Sequence, residues 1–144
     1  MTMIPQRMDS MRNALSSGLI LLLVFAHDGH AQSMNAPDGP CRRVVVTSDL
    51  TECLDLAWRK SDAKLNETYA RVQRVLDPDE KKRLVQSQRF WIKYRDATCD
   101  AEYKLYGGGT GGPPTRLACL EAETRAREAS LLRSYGWRVE KFGG

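Results

Sequence analysis

Histidine is nearly absent from this chain. His27 and His30 are the only two, and both lie close to the N-terminus. Aromatic residues are sparse, at 8%. No apolar run reaches the ~20 residues that cross a bilayer; the longest, Leu19 to Ala26, reads LILLLVFA. Cysteine is limited to Cys41, Cys53, Cys99 and Cys119, and no two are spaced closely enough for a typical thiolate zinc knuckle. A strong excess of one charge is missing too. The 22 Lys+Arg against 18 Asp+Glu leave +4, with acidic residues interspersed, which does not point to nucleic acid. At 144 residues the chain is one small domain, too short for a large barrel or a two-domain nucleotide enzyme.

What is present begins with a leader. Arg7 and Arg12 precede the apolar run, and Gly29-His30-Ala31 places small residues three and one before a cut after Ala31. Basic start, short apolar core and small-x-small end predict a signal peptide over 1–31. An uncleaved anchor is the other reading of the same segment. A lipid anchor would need a cysteine directly after the core, and Cys41 lies too far on. The expected location is periplasmic or secreted, with no stable membrane insertion once the leader is removed.

Removal leaves 113 residues. Arg7, Arg12, Asp9 and Asp28 depart, so 20 basic residues stand against 16 acidic ones and the balance stays +4. Both histidines depart as well. No Ser-His-Asp or Cys-His arrangement is then possible, and no imidazole can bind zinc or act as a base near neutral pH. We therefore expect no metal, no cofactor and no enzyme. All four cysteines remain, and in an exported chain an even count predicts two disulfides.

Punctuation divides the rest. Residues 32–48, with Pro37, Gly39 and Pro40, read as an extended arm, and Val44-Val45-Val46 as a short extended segment. Residues 50–76 lack Gly and Pro and carry apolar side chains at Leu50, Cys53, Leu54, Ala57, Leu65, Tyr69, Val72 and Leu76, which is helical spacing. Asp49 and Glu52 resemble a capping box for this helix. Asp77-Pro78 with Glu80 predicts a second start, for a helix over about 78–106 with Leu84, Val85, Trp91, Ile92, Cys99 and Tyr103 inward. Residues 107–114 (GGGTGGPP) cannot continue it. A third helix is expected over about 115–135, burying Leu117, Leu120, Thr124, Leu131 and Tyr135, with Gly136 as its stop and 137–144 as a loose tail. The prediction is an all-α, antiparallel three-helix bundle stapled by two disulfides, its helical domain spanning 49–136.

The short links suggest a register. About the Leu76–Pro78 turn, Asn66 should face Gln88 and Ala63 should lie opposite Trp91, with Arg95 within reach of Asp62. About the glycine loop, Cys99 and Cys119 come out level, which favours Cys99–Cys119 with Cys41–Cys53. Cys53 is level with Cys99 as well, so the three possible pairings stay open.

Three pieces stand out in order: Leu65-Asn66-x-x-Tyr69, then Gln88-x-x-Trp91-x-x-x-Arg95-Asp96-x-x-Cys99, then the glycine loop leading to Cys119 and Thr124-x-x-Arg127-x-x-x-Leu131. In this order and spacing they resemble the LprI-type lysozyme inhibitor family, over about residues 41–135. The resemblance implies a small, exported, cysteine-bearing helical protein that binds and blocks lysozyme. Each motif residue also has a packing explanation: Trp91 as a core anchor, Asn66 and Gln88 as cross-helix hydrogen bonds. Asp96 and Asp100, four apart, could act as an acid–base pair in a cell-wall glycosidase, but a solvated helix face explains them. Candidate contacts for lysozyme are Lys104, the Gly107, Gly108, Gly109, Thr110, Gly111 and Gly112 loop, and Arg116. The partner is lysozyme or another envelope protein. The alternative function is an envelope interaction or structural module without an enzyme target. One feature opposes the first reading: lysozymes are commonly cationic, so a +4 chain lacks long-range attraction to them.

Overall fold

In the computed structural model Met34 and residues 36–143 are described, and the expected leader over 1–31 lies outside the described residues. Three helices follow in chain order: α1 (Thr47–Arg74), α2 (Pro78–Lys104) and α3 (Gly112–Phe142). There is no strand among the described residues. The chain runs up, down and up, so α1 and α3 point the same way. α3 packs along both partners, more extensively on α1. The two disulfides are Cys41–Cys53 and Cys99–Cys119.

α1 starts earlier than its sequence signals suggest. Val46 occupies the cap position in extended backbone, with no side-chain cap bond, so Asp49 and Glu52 form no capping box. Residues 36–43 make successive turns rather than an extended arm. The disulfide pins Cys41 to α1, and Cys41 is buried with Leu50, Leu54 and Ala118, so the chain is steered into the helix before Asp49. α2 starts as expected. Glu80 N donates to Asp77 Oδ1 at 2.8 Å, Asp77 N donates to Glu80 Oε2 at 3.1 Å, and Pro78 takes the first turn. The bond from the Glu80 amide holds the Asp77 carboxyl below its ordinary range.

α3 differs at both ends from the expected 115–135. Pro113 and Pro114 fall in its first turn, where a missing N–H costs nothing. It then continues through Gly136 to Phe142, so 137–142 are helical rather than a loose tail. Helical glycine costs about 1 kcal/mol against alanine. Two contacts beyond it offset that cost: Val139 is buried with Leu76 and Leu131, and Arg138 Nη1 meets Glu80 Oε1 at 2.7 Å.

The main core lies at the α1–α2 turn end, from Leu65, Val72, Leu76, Leu84, Leu131 and Val139, with Tyr69, Trp91 and Tyr135 packed against it. A second cluster around Leu50 and Leu54 fills the glycine-loop end, and the Cys99–Cys119 bridge, Leu120 and Trp58 lie between. α2 contributes least. Only Leu84 and Cys99 of it are buried, while Ile92 is 39% and Tyr103 36% exposed, against their expected inward placement.

The α1–α2 register inferred from the short turn fails because α2 docks mainly on α3. Ala63 is exposed rather than layered under Trp91. Asn66 donates to Asp62 on its own helix at 3.0 Å, and Gln88 accepts from Arg127 of α3 at 2.9 Å. Arg95 pairs with its neighbour Asp96 at 2.8 Å, not with Asp62.

Nothing lies within 4 Å of a β-carbon built on Gly136. Gly136→Ala should therefore raise unfolding stability by about 0.5–1 kcal/mol, read from the urea midpoint at constant slope. Replacing Cys99 and Cys119 together with serine should lower stability by roughly 3 kcal/mol, from the closure entropy of the loop they span. A thermal melt of this variant against the natural protein, both without reductant, checks the magnitude.

Candidate functional site

The glycine-loop end gathers the loop candidates in one place. α2 ends at Lys104; Leu105 and Tyr106 follow, 83% and 41% exposed; the chain then turns through Gly107 and Gly108 at φ 56° and 85°. That left-handed backbone suits glycine. The turn ends under Tyr106, whose ring would stand 2.6 Å from any β-carbon on Gly111. The loop therefore has a fixed exit held by the tyrosine, and its stem is closed by the Cys99–Cys119 bridge. Gly107 to Thr110 are exposed, while Gly112 is buried at the start of α3.

The N-termini of α1 and α3 open at this same end, neither with a side-chain cap bond. Their dipoles place partial positive charge there, and α2 ends there with the opposite sign. An open depression of about 680 Å³ lies between them, lined by Val46, Thr47, Ser48, Thr51, Thr110 and Pro113. Val45 beside it is 91% exposed and Val46 54%.

Of the two cations expected here, Arg116 is engaged: its Nε donates to Asp100 Oδ1 at 2.7 Å. Lys104 is exposed and makes no ion pair among the described residues. Sequence reasoning missed Glu102. Its carboxyl is pushed above its ordinary range by burial and then by the charge of Glu123. It also stands near the carboxyl end of a helix, where the dipole disfavours an anion. That placement was readable in outline, since the glycine loop already marked the helix end. The exposure of Val45, Val46 and Leu105 was not, because short apolar stretches look alike whether covered or bare.

The remaining motif residues assemble in a second place, across α2 and α3. The Trp91 ring lies under the Arg95 guanidinium at 5.0 Å and the Arg127 guanidinium at 5.9 Å. Arg127 Nε donates to Gln88 Oε1 at 2.9 Å and Nη2 to Ser87 Oγ at 3.1 Å. Burial lowers the Arg127 pKa. Burial also raises that of the Tyr69 hydroxyl, which accepts from Gln73 at 3.2 Å, with Arg127 and Arg89 pulling it back. Thr124 is fully buried and its hydroxyl has no hydrogen-bond partner among the described residues. Asn66 stands apart on exposed α1 surface. These contacts join α2 to α3.

The acidic pair does not come together as an acid–base couple. Asp96 is bound by Arg95 and Asp100 by Arg116, with side chains 45% and 52% exposed. Among the described residues no group of His, Cys, Asp and Glu could hold a metal ion.

Residues 41–131 match the family described as lysozyme inhibitor LprI. The chain is also 33% identical over 131 residues to an uncharacterized protein of Rhizobium meliloti (strain 1021), covering 82% of this chain and 92% of that one. No solved structure matches it. The matched stretch takes in α1, α2, both disulfides, the glycine loop and α3 as far as Leu131, and the chain belongs to the LprI lysozyme inhibitor family.

Proposed function

We propose that this protein is exported and blocks lysozyme non-covalently, with its glycine-loop end as the docking surface. The observation that carries the reading is the family match, which spans nearly the whole disulfide-stapled bundle and includes the loop. The two disulfides suit an oxidising compartment outside the cytoplasm. Lysozyme's cleft holds two catalytic carboxylates. Lys104 and the open α1 and α3 N-termini supply positive ends to face them, and Leu105 and Tyr106 supply apolar contact area beside the loop.

The +4 balance does not oppose this reading, because it is not at the loop end. Residues 94–116 hold three basic groups, Arg95, Lys104 and Arg116, against three acidic ones, Asp96, Asp100 and Glu102. A surface that is neutral with Glu102 included meets a cationic partner without net repulsion.

Leu105→Asp with Lys104→Glu should weaken inhibition at least tenfold while leaving the helical circular dichroism unchanged. The assay is turnover of several lysozyme types with the purified exported protein. Unchanged turnover of all of them at micromolar excess of the natural protein would overturn the proposal. Glu102→Gln should raise the melting temperature. The Glu102 carboxyl is raised in the folded state, so its stability contribution is complete below its unfolded pKa and is lost as pH rises through the folded one. The advantage of the glutamine variant should thus be largest at neutral pH and close on acidification through the carboxylate range, as thermal melts across pH will read.

A further inference from the structure

The net charge of the expected exported chain is confined to one stretch. Residues 70–93 carry seven basic groups, Arg71, Arg74, Lys81, Lys82, Arg83, Arg89 and Lys93, against Asp77, Asp79 and Glu80. The other residues from 32 onward hold thirteen of each sign. Of those three acids, Glu80 is already bound to Arg138 and to the Asp77 amide, and Asp77 caps α2. None of the seven cations makes an ion pair among the described residues.

The same stretch exposes apolar rings. Phe90 is 62% and Tyr94 58% exposed on α2, a helix that buries only Leu84 and Cys99. Lys82, Arg89 and Lys93 recur at intervals of seven and four, as do Arg83, Phe90 and Tyr94, so both sets run along the solvent side of α2 away from Leu84 and Trp91. Trp137 of α3, 59% exposed, joins them at the turn end, where Arg138 reaches across to Glu80. Exposed aromatic rings among unpaired Lys and Arg are the composition of a surface that lies on a bilayer, with rings at headgroup depth and cations against anionic lipid.

We propose that the solvent side of α2, with Trp137 beside it, docks peripherally on anionic lipid bilayers. On the bilayer the long basic side chains extend so that their charged ends reach the phosphates. The attraction is electrostatic first and so weakens with salt. The proposal does not depend on lysozyme inhibition, since Lys104, Leu105, Tyr106 and the glycine loop take no part in it.

The test is co-sedimentation of protein recovered from an exporting host, its N-terminus checked by mass spectrometry, with two vesicle types. One contains phosphatidylcholine alone and the other phosphatidylcholine with about one-third phosphatidylglycerol. Binding only to the anionic vesicles, reversed at high salt, is the expected result. Lys82→Gln with Arg89→Gln should lower the partition coefficient more than tenfold, each cation accounting for roughly fivefold. Trp137→Ala should lower it at unchanged charge. Leu105→Asp should leave it unchanged, which separates failure here from failure of the inhibitor reading. No binding to anionic vesicles, equal binding to both types, or binding unaffected by Lys82→Gln with Arg89→Gln would each overturn the proposal. So would capture by soluble polyphosphate without capture by vesicles.

Discussion

The two buried carboxylates of α3 constrain the whole bundle. Glu121 accepts from Ser61 at 3.1 Å and from Arg125 at 3.2 Å. Glu128 accepts from Thr68 at 3.2 Å and from Lys64 at 3.2 Å. Both helix-to-helix bonds join residues sixty apart, and each helix advances by seven between them. This is the heptad interval at which two parallel helices present the same side to each other. An ionised carboxylate so deeply buried is costly unless each partner is in place. A slip of one residue along α1 would carry both glutamates away from their hydroxyls at once. The apolar stripe alone would tolerate such a slip more readily, so the polar ladder specifies the parallel register and the leucines around it supply most of the burial.

With α1 and α3 fixed, α2 becomes the outer helix. It is held to α3 at intervals: the Cys99–Cys119 bridge and the Asp100–Arg116 pair near the loop, Gln88–Arg127 at the middle, Glu80–Arg138 near the turn. Trp91 works within this seam, where two guanidiniums lie over its ring. A helix so attached need not bury a continuous stripe. That explains how Phe90, Ile92 and Tyr94 can stay on the surface without loss of the fold.

Where each helix exists was legible in the sequence, because Asp77-Pro78 and the glycine loop are strong local stops. Which helix neighbours which was harder. The short α1–α2 link invited a direct register between those two, and the inferred pairs Asn66–Gln88 and Asp62–Arg95 failed together because both assumed α2 lies flat on α1. The Cys99–Cys119 register succeeded because α2 and α3 are true neighbours. Gly136 misled for another reason: its local cost of about 1 kcal/mol is smaller than what the burial of Val139 returns. At the candidate site, chain order alone brought Lys104, the loop and Arg116 to one end. It could not foresee that Asp100 engages Arg116, or that Glu102 is partly buried and within the field of Glu123.

The arrangement of charge resolves a conflict that composition alone creates. A +4 protein is a poor partner for a cationic enzyme if its charge is spread evenly. Here the basic stretch ends at Lys93, 11 residues along α2 from Lys104 and about 17 Å away at 1.5 Å per residue, and Lys82 lies twice as far. These are about two and four Debye lengths at physiological salt, where the screening length is about 8 Å. In the proposed docking, a lysozyme at the loop end would meet a locally neutral surface and only the screened field of the basic stretch. Anionic material along α2 is equally screened from the loop end. The length of α2 keeps the two electrostatic surfaces apart, and α2 is held in place by α3, whose own register the α1–α3 ladder sets.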